Sequence, residues 1–137
     1  MTSPAPPGPA PVDTWSVFAE GFDLPSAVAV DHRGIVYVAD VNQQRVVALS
    51  PEGLPLREWG QRGVQGGRPG QFHNPYGVAV DRAGAIYVAD TGNSRLQVLS
   101  AAGAVLAVWG LDNRLAWLRG HVSPYGVAVD AGGTVYV

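Results

Sequence analysis

Apolar residues in this chain form short runs that turn signals separate every eight to twelve residues. Between residues 75 and 110 the apolar runs occupy 77–81, 85–89, 95–99 and 104–109. Turns this closely spaced leave no room for helices of useful length, and such short runs are typical of antiparallel strands. The pattern therefore predicts four short strands between residues 75 and 110.

The same pattern occurs three times along the chain. Pro75–Val88 is identical to Pro124–Val137 at ten of fourteen positions, and Pro25–Gly60 matches Pro75–Gly110 at 17 of 36 positions without a gap. The repeats begin 50 and 49 residues apart, and a regular period of this length indicates a repeat architecture. We expect residues 14–137 to form one all-β region with repeats at 25–60, 75–110 and 124–137, of which the last is incomplete.

The first two runs of each repeat are apolar at nearly every position, so each strand must be covered on both faces. The connections contain only three to five residues, which excludes crossover helices, so neighbouring four-stranded sheets must cover one another. Radial stacking of such sheets predicts a β-propeller fragment with two complete antiparallel blades and part of a third. A β-solenoid is the less favoured alternative, because four strands per repeat are too many for one coil.

Repeated residues at the turns have expected structural roles. Glycines occupy the tight turn between the first two runs, where positive φ is needed: Gly34, Gly84 and Gly133. A carboxylate able to accept hydrogen bonds from turn amides ends the first run: Asp31, Asp81 and Asp130. A large ring suited to sealing one sheet against the next ends the fourth run: Trp59 and Trp109.

The repeats resemble the NHL repeat, the unit of a common β-propeller family. The resemblance rests on Val36–Asp40 followed by Arg45, on Ile86–Arg95, and on Gly66–Val80 with its Gln-Phe pair and proline. It implies a ring of usually six blades, so that further blades are needed for closure. In that family the outermost strand of the last blade comes from the opposite terminus, and Trp15–Ala19 is the candidate for it here.

This sequence departs from the family pattern in two places. The turn Asp40–Arg45 lacks the glycine of the second repeat, and the loop Leu111–His121 lacks the Gln-Phe pair. That loop carries Leu115, Trp117 and Leu118 instead, which serve either specificity or packing on the rim.

Composition narrows the possible partners. The net charge is −2 and charged residues make up 15% of the chain, so no basic surface draws in nucleic acid or an acidic membrane. Residues 1–13 carry five prolines and no signal-peptide pattern, and they are expected to form a disordered tail. The chain is therefore expected to be cytoplasmic by default, without a nucleic-acid or membrane partner.

No motif of nucleophilic or phosphate chemistry occurs, and cysteine is absent. The histidines His32, His73 and His121 are poorly spaced for a metal, so neither a metal nor another cofactor is expected. Asp40 and Asp90 recur identically, as turn anchors do, and we expect them to pair with turn amides and with Arg45 or Arg95.

Residues that follow each repeat's first proline are Ser26, Tyr76 and Tyr125, and the resemblance places them at the mouth of the central channel, on the top face. The best candidate binding patch consists of His73, Asn74, Tyr76, Asn93, Arg95 and Tyr125. Adjacent tyrosines are typical of binding hot spots, although they also serve to line a solvent-filled funnel.

Two functions are compatible with these features. The first is a non-enzymatic interaction scaffold whose top face holds a protein, a peptide or a small ligand. The alternative is a metal-assisted lyase or hydrolase of the propeller class, whose remaining ligands lie in further blades.

Overall fold

The computed structural model describes residues 17–111 and 122–137, which contain ten strands and one turn of 3-10 helix, Thr91–Asn93. The strands are β1 (Pro25–Val30), β2 (Val36–Asp40), β3 (Arg45–Leu49), β4 (Pro55–Gly60), β5 (Pro75–Val80), β6 (Ile86–Asp90), β7 (Arg95–Leu99), β8 (Val105–Gly110), β9 (Ala128–Val129) and β10 (Val135–Tyr136). Strands β5 to β8 match the apolar runs predicted between residues 75 and 110 to within two residues.

Three antiparallel sheets follow one another along the chain. Sheet 1 has the order β1-β2-β3-β4, sheet 2 has the order β5-β6-β7-β8, and sheet 3 pairs β9 with β10. The register is also repeated, since Val28 lies opposite Val38 in sheet 1 and Val78 lies opposite Val88 in sheet 2. The prediction of two complete four-stranded antiparallel blades and part of a third is confirmed.

Several predicted features lie outside the described residues. These are the proline-rich tail at residues 1–13, most of the loop from Leu111 to His121, and the first part of the segment Trp15–Ala19. The described part of that segment, residues 17–19, is not in a strand. Ala19 packs instead with Phe22 against one face of sheet 1.

The main hydrophobic core lies between sheets 1 and 2. One face of sheet 1 packs on the facing side of sheet 2 through Tyr37, Ala39, Val46, Ala48 and Trp59 on the first sheet and Val78, Ile86, Val88 and Leu99 on the second, with Phe72 beside them. A second cluster joins the other face of sheet 2 to sheet 3 through Ala79, Tyr87, Ala89, Leu96 and Val98, against which Val127, Val129 and Val135 pack. Burial between apolar faces is what holds these sheets in order.

Like positions in different repeats are not equally buried. Val78 is 5% exposed between the sheets and Val127 is packed against the second cluster, whereas Val28 is 64% exposed. Trp59 is 6% exposed in the main core, but Trp109 is 45% exposed. Sheet 2 covers Trp59, whereas the sheet next to Trp109, sheet 3, contains only two strands within the described residues.

The hairpin that joins the first two strands of each repeat is built in the same way three times. Its glycine has a φ of 82° at Gly34 and 86° at Gly84 and Gly133, as predicted. The aspartate before it accepts amide hydrogen bonds from the turn and a hydroxyl hydrogen bond from the tyrosine six residues on, in the pairs Asp31 with Tyr37, Asp81 with Tyr87, and Asp130 with Tyr136. The tyrosine contact was not predicted from the sequence.

Candidate functional site

We call the edge of the sheets where β1 and β5 begin the proline end, after Pro25 and Pro75. The second strand of each complete sheet ends here in a fully buried aspartate, Asp40 or Asp90, and the third strand begins here with an arginine. Every residue of the predicted binding patch lies at this edge or next to it. The candidate site is therefore built upward from the two buried carboxylates.

Asp90 is the centre of a hydrogen-bond network in sheet 2. Its Oδ1 accepts from the backbone amide of His73 at 2.7 Å. Its Oδ2 accepts from the side chains of Asn93 at 2.9 Å, Arg95 at 2.6 Å and Gln97 at 3.0 Å. These four hydrogen bonds compensate for the cost of burying the carboxylate, and they fix the chain that leads into β5.

Arg95 and Asn93 hold the stretch 66–73, which we call the approach loop. Arg95 donates to the carbonyl oxygens of Gly67, Arg68 and Gln71 at 2.7 to 3.0 Å, and Asn93 donates to that of Gly66 at 2.8 Å. The donors of these two side chains are thus engaged within the protein. Their role in the structure is to position the loop that ends at His73 and leads to Asn74.

His73 and Asn74 connect the approach loop to its neighbours. The carbonyl of His73 accepts from the amide of Gly92 at 2.7 Å, and the His73 ring lies so close that a Cβ on Gly92 would be 2.5 Å from ring atom Cγ. Asn74 exchanges two hydrogen bonds with Gln44 of sheet 1, at 2.7 and 3.1 Å. This amide pair ties sheet 1 to sheet 2 at the proline end.

Sequence reasoning missed the contribution of Gln44. The residue that replaces it fifty positions later is Ser94, so the repeat pattern gave no reason to single it out. Its burial and its two bonds to Asn74 identify it as part of the junction between the sheets.

Tyr76 and Tyr125 lie side by side at the proline end. Their ring centroids are 5.1 Å apart and the ring planes are tilted by 47°. Gly77 permits this approach, because a Cβ there would lie 2.5 Å from the carbonyl oxygen of Tyr125. Tyr125 is 63% exposed and Tyr76 is half-buried, so the pair presents both rings to solvent on a fixed backbone.

The hydroxyl groups distinguish this pair from the other tyrosines. Those of Tyr37, Tyr87 and Tyr136 donate to hairpin aspartates at 3.1 to 3.4 Å. Those of Tyr76 and Tyr125 have no hydrogen-bond partner within residues 17–111 and 122–137. Tyr76 and Tyr125 therefore present aromatic rings and hydroxyl groups together at the proline end.

Sheet 1 contains a simpler version of the Asp90 network. Asp40 accepts from the amide of Asp23 at 2.8 Å and from Arg45 at 2.9 Å, and Arg45 donates further to Glu58 and to the carbonyl of Gly21. Burial alone would lower the pKa of Arg45, but its hydrogen bonds to Asp40 and Glu58 raise the pKa above its usual value.

The segment before Pro25 makes the same contacts in sheet 1 as the approach loop makes in sheet 2. Gly21 and Asp23 take the places of Gln71 and His73. The Gln-Phe pair itself occurs only in the second repeat. Phe22, fifty positions before Phe72, was the signal that could have extended the repeat.

His32 lies in the turn between β1 and β2, at the opposite end of the strands from His73. Within the two described stretches, no three His, Cys, Asp or Glu side chains are grouped so that they could hold a metal ion. His121 lies outside them. The part of the chain that the structure describes has no helix of the length and apolar character needed to cross a membrane.

Comparison with known proteins supports the repeat assignment. The family model for the NHL repeat matches residues 72–99, which run from the approach loop through β5, β6 and β7. No curated protein matches this chain at a significant level.

Solved structures match most of the chain. A streptogramin B lyase is similar with a TM-score of 0.57 and 18% identity, over 79% of this chain and 31% of its own length. Hydrazine synthase of Kuenenia stuttgartiensis is similar with a TM-score of 0.60 and 13% identity, over 90% and 31%. Virginiamycin B lyase from Staphylococcus aureus is similar with a TM-score of 0.59 and 11% identity, over 81% and 33%.

These matches establish the fold. The chain is a β-propeller fragment that spans about a third of the length of the solved structures it resembles. At identities of 11 to 18%, the similarity concerns the sheets and their stacking.

Proposed function

Since the chain is a partial β-propeller of the NHL-repeat type, we propose that it is a non-enzymatic scaffold that binds a protein, a peptide or a small ligand at its proline end. The observation that carries this proposal is the exposed pair Tyr76 and Tyr125, with ring centroids 5.1 Å apart. Tyrosine combines a large apolar ring with a hydroxyl group, and it loses little conformational entropy on binding.

The backbone at Tyr76 is held in place before any ligand binds. The carbonyl of Tyr76 accepts from the hydroxyl of Ser26 at 2.7 Å, and the buried Pro75 precedes it. A surface that is ordered before binding avoids part of the entropic cost of forming a complex.

The remaining patch residues support the pair in different ways. Asn93 and Arg95 hold the approach loop, and Asn74 joins it to sheet 1. His73, which is partly exposed, forms the edge of the patch toward Gly92. We therefore assign direct ligand contact to Tyr76 and Tyr125 and positioning to Asn93 and Arg95.

A displayed library of random peptides, selected on the protein, tests this proposal. Peptides that bind the wild type should lose affinity at least about tenfold for the double variant Tyr76→Ala/Tyr125→Ala, as expected for hot-spot side chains. Tyr136→Ala is the matched control, because Tyr136 is also exposed but lies in sheet 3 with its hydroxyl bonded to Asp130. Selected peptides that bind the double variant as tightly as the wild type would contradict the proposal.

A metal-assisted lyase or hydrolase is the second candidate. It is supported by the placement of His73 at the proline end and by the two lyases among the similar structures. Metal analysis of the purified protein tests it. One tightly held ion per chain that is lost in His73→Ala would favour the enzyme over the scaffold.

A further inference from the structure

We propose that this chain associates head to tail with a second copy of itself, so that the outward face of sheet 3 in one copy packs on the open face of sheet 1 in the next. The contact involves the faces of the sheets and not the tyrosine pair, so it is independent of the proposed function. It extends to two copies the way in which the sheets already pack within one chain.

The first apolar run of each repeat carries valines on one face and small residues on the other. The three runs are Ala27–Val30, Gly77–Val80 and Gly126–Val129, which read AVAV, GVAV and GVAV. Successive side chains of a strand point to opposite faces of its sheet. Each of the three sheets therefore has a valine face and a small-residue face at its first strand.

The two junctions within the chain join unlike faces. At the first junction, Ala29 of sheet 1 packs in the same core as Val78 of sheet 2. At the second junction, Ala79 of sheet 2 packs in the cluster that also contains Val127 and Val129 of sheet 3. Each time, the small-residue face of one sheet is covered by the valine face of the next sheet.

The two ends of the stack display one uncovered face of each kind within the described residues. On the open face of sheet 1, Val28 is 64% exposed and Val30 is 59% exposed. On the outward face of sheet 3, Ala128 is exposed and Tyr136 is 56% exposed. The equivalent tyrosine of sheet 1, Tyr37, is 1% exposed because sheet 2 covers it. The two end faces are therefore of the same two kinds that meet at the internal junctions.

A glycine provides room for close approach at the outward face of sheet 3. At the second junction, a Cβ on Gly77 would lie 2.5 Å from the carbonyl oxygen of Tyr125, so the glycine admits the backbone of sheet 3. Gly126 takes the same place in the third repeat, and a Cβ there would meet open space within the described stretches. The backbone of sheet 1 from a second copy can therefore approach this face closely.

Contact between two identical faces fits less well, because at neither internal junction do the first-strand valines of one sheet face those of the next. Contact of sheet 3 with sheet 1 is heterologous, so each copy uses different faces for its two neighbours. Sheet 3 has two strands in the described part of the chain, so it covers β1 and β2 of the second copy. An interface of this size is weak, and the chain is monomeric when dilute, with Val28 exposed.

Sedimentation equilibrium of the full chain between about 1 µM and about 200 µM tests the contact. The average mass of the wild type should rise above the 14.3 kDa of one chain as the concentration increases. Val28→Glu and Ala128→Glu should each stay monomeric, because each places a charge on one of the two faces that meet. Ala83→Glu, in the exposed turn between β5 and β6, is the matched control and should behave like the wild type.

A mixture of the two monomeric variants tests the head-to-tail arrangement. Sheet 3 is unaltered in Val28→Glu and sheet 1 is unaltered in Ala128→Glu, so an equimolar mixture should form a pair with twice the mass of one chain. The pair cannot grow, because both of its remaining end faces carry glutamate. Circular dichroism shows whether each variant is folded.

The other outcomes would overturn the proposal. A wild type that keeps the mass of one chain at every concentration would show that no second copy covers these faces. Association of Ala128→Glu alone would show that two sheet 1 faces meet, and association of Val28→Glu alone would show that two sheet 3 faces meet. A mixture that stays monomeric would exclude the contact between sheet 3 and sheet 1.

Discussion

Sheets 1 and 2 have the same strand order and register, yet their equivalent residues lie in different surroundings. Val78 is 5% exposed because sheet 1 covers it, whereas Val28, fifty positions earlier, is 64% exposed. Sheet 2 lies between two sheets, while within the described residues sheet 1 has a neighbouring sheet on one face. An apolar strand pattern therefore predicts which residues can be buried, but whether they are buried depends on a neighbouring repeat packing against them.

The two sheets also hold their incoming chain differently. In sheet 2 the fully buried Gln97 bonds the amide of Gly70, the carbonyl of Gln71 and the carboxylate of Asp90. Val47 takes its place in sheet 1 and packs in a cluster with Phe22. At the proline end, more side-chain hydrogen bonds therefore hold the incoming chain in sheet 2, which carries Tyr76, than in sheet 1.

The largest effect is expected from removing the buried carboxylate of sheet 2. Asp90→Ala takes away the acceptor of four donors, including the guanidinium of Arg95, and should lower the free energy of unfolding by about 3 to 5 kcal/mol. Asp40→Ala should cost less, because Asp40 has two donors and Arg45 keeps Glu58 as a partner. Denaturant unfolding measures both.

Asp90→Asn is the control for shape. It keeps the size of the side chain but removes its charge, so its free energy of unfolding should lie between that of the wild type and that of Asp90→Ala. If Asp40→Ala destabilises the protein as much as Asp90→Ala, the two networks are equivalent and the difference between the sheets concerns only packing.

A smaller effect is expected from shortening the equivalent valines. Val78→Ala removes two methyl groups from the core between the sheets and should cost about 2 kcal/mol. Val28→Ala should cost less than about 0.5 kcal/mol, because most of that side chain is exposed. Thermal or denaturant unfolding of the two variants gives the comparison directly. An equal cost would mean that the open face of sheet 1 is covered in solution.

The sequence predicted the strands and their stacking because both follow from local patterns. Turn residues and apolar runs repeat every fifty positions, and the runs in 75–110 lie within two residues of their strands. The closeness of Tyr76 and Tyr125 was expected from their place after the prolines. Their geometry depends on Gly77, which admits the neighbouring backbone.

Contacts made across sheets could not be predicted in the same way. The bonds of Gln44 to Asn74 and of Gln97 to the approach loop join residues about thirty positions apart, and neither glutamine recurs in the other repeat. Repetition in a sequence reveals only what the units share. A residue that differs between units, as Gln44 differs from Ser94, is identified as important only when the sheets are placed side by side.

The smallest expected effect concerns the hairpin aspartates, and it compares sheet 1 with sheet 3. Burial raises the pKa of Asp31, but hydrogen bonds from Ile35 and Arg33 outweigh it and lower the pKa below the usual 3.8. In Asp130 the amide of Thr134 is the main cause of a lowered pKa. A carboxyl whose pKa is lower in the folded state stabilises the protein above the unfolded value and loses that contribution as the pH falls through the folded value.

Asp31→Asn should therefore be less stable than the wild type at pH 7, and the difference should shrink below about pH 4. Asp130→Asn should show the same trend. Urea unfolding between pH 7 and pH 2 measures the difference, and added salt should reduce the part that comes from Arg33, whose side chain is 56% exposed. A difference that stays constant across this range would show that hydrogen-bond geometry, and not the charge, makes these carboxylates stabilising.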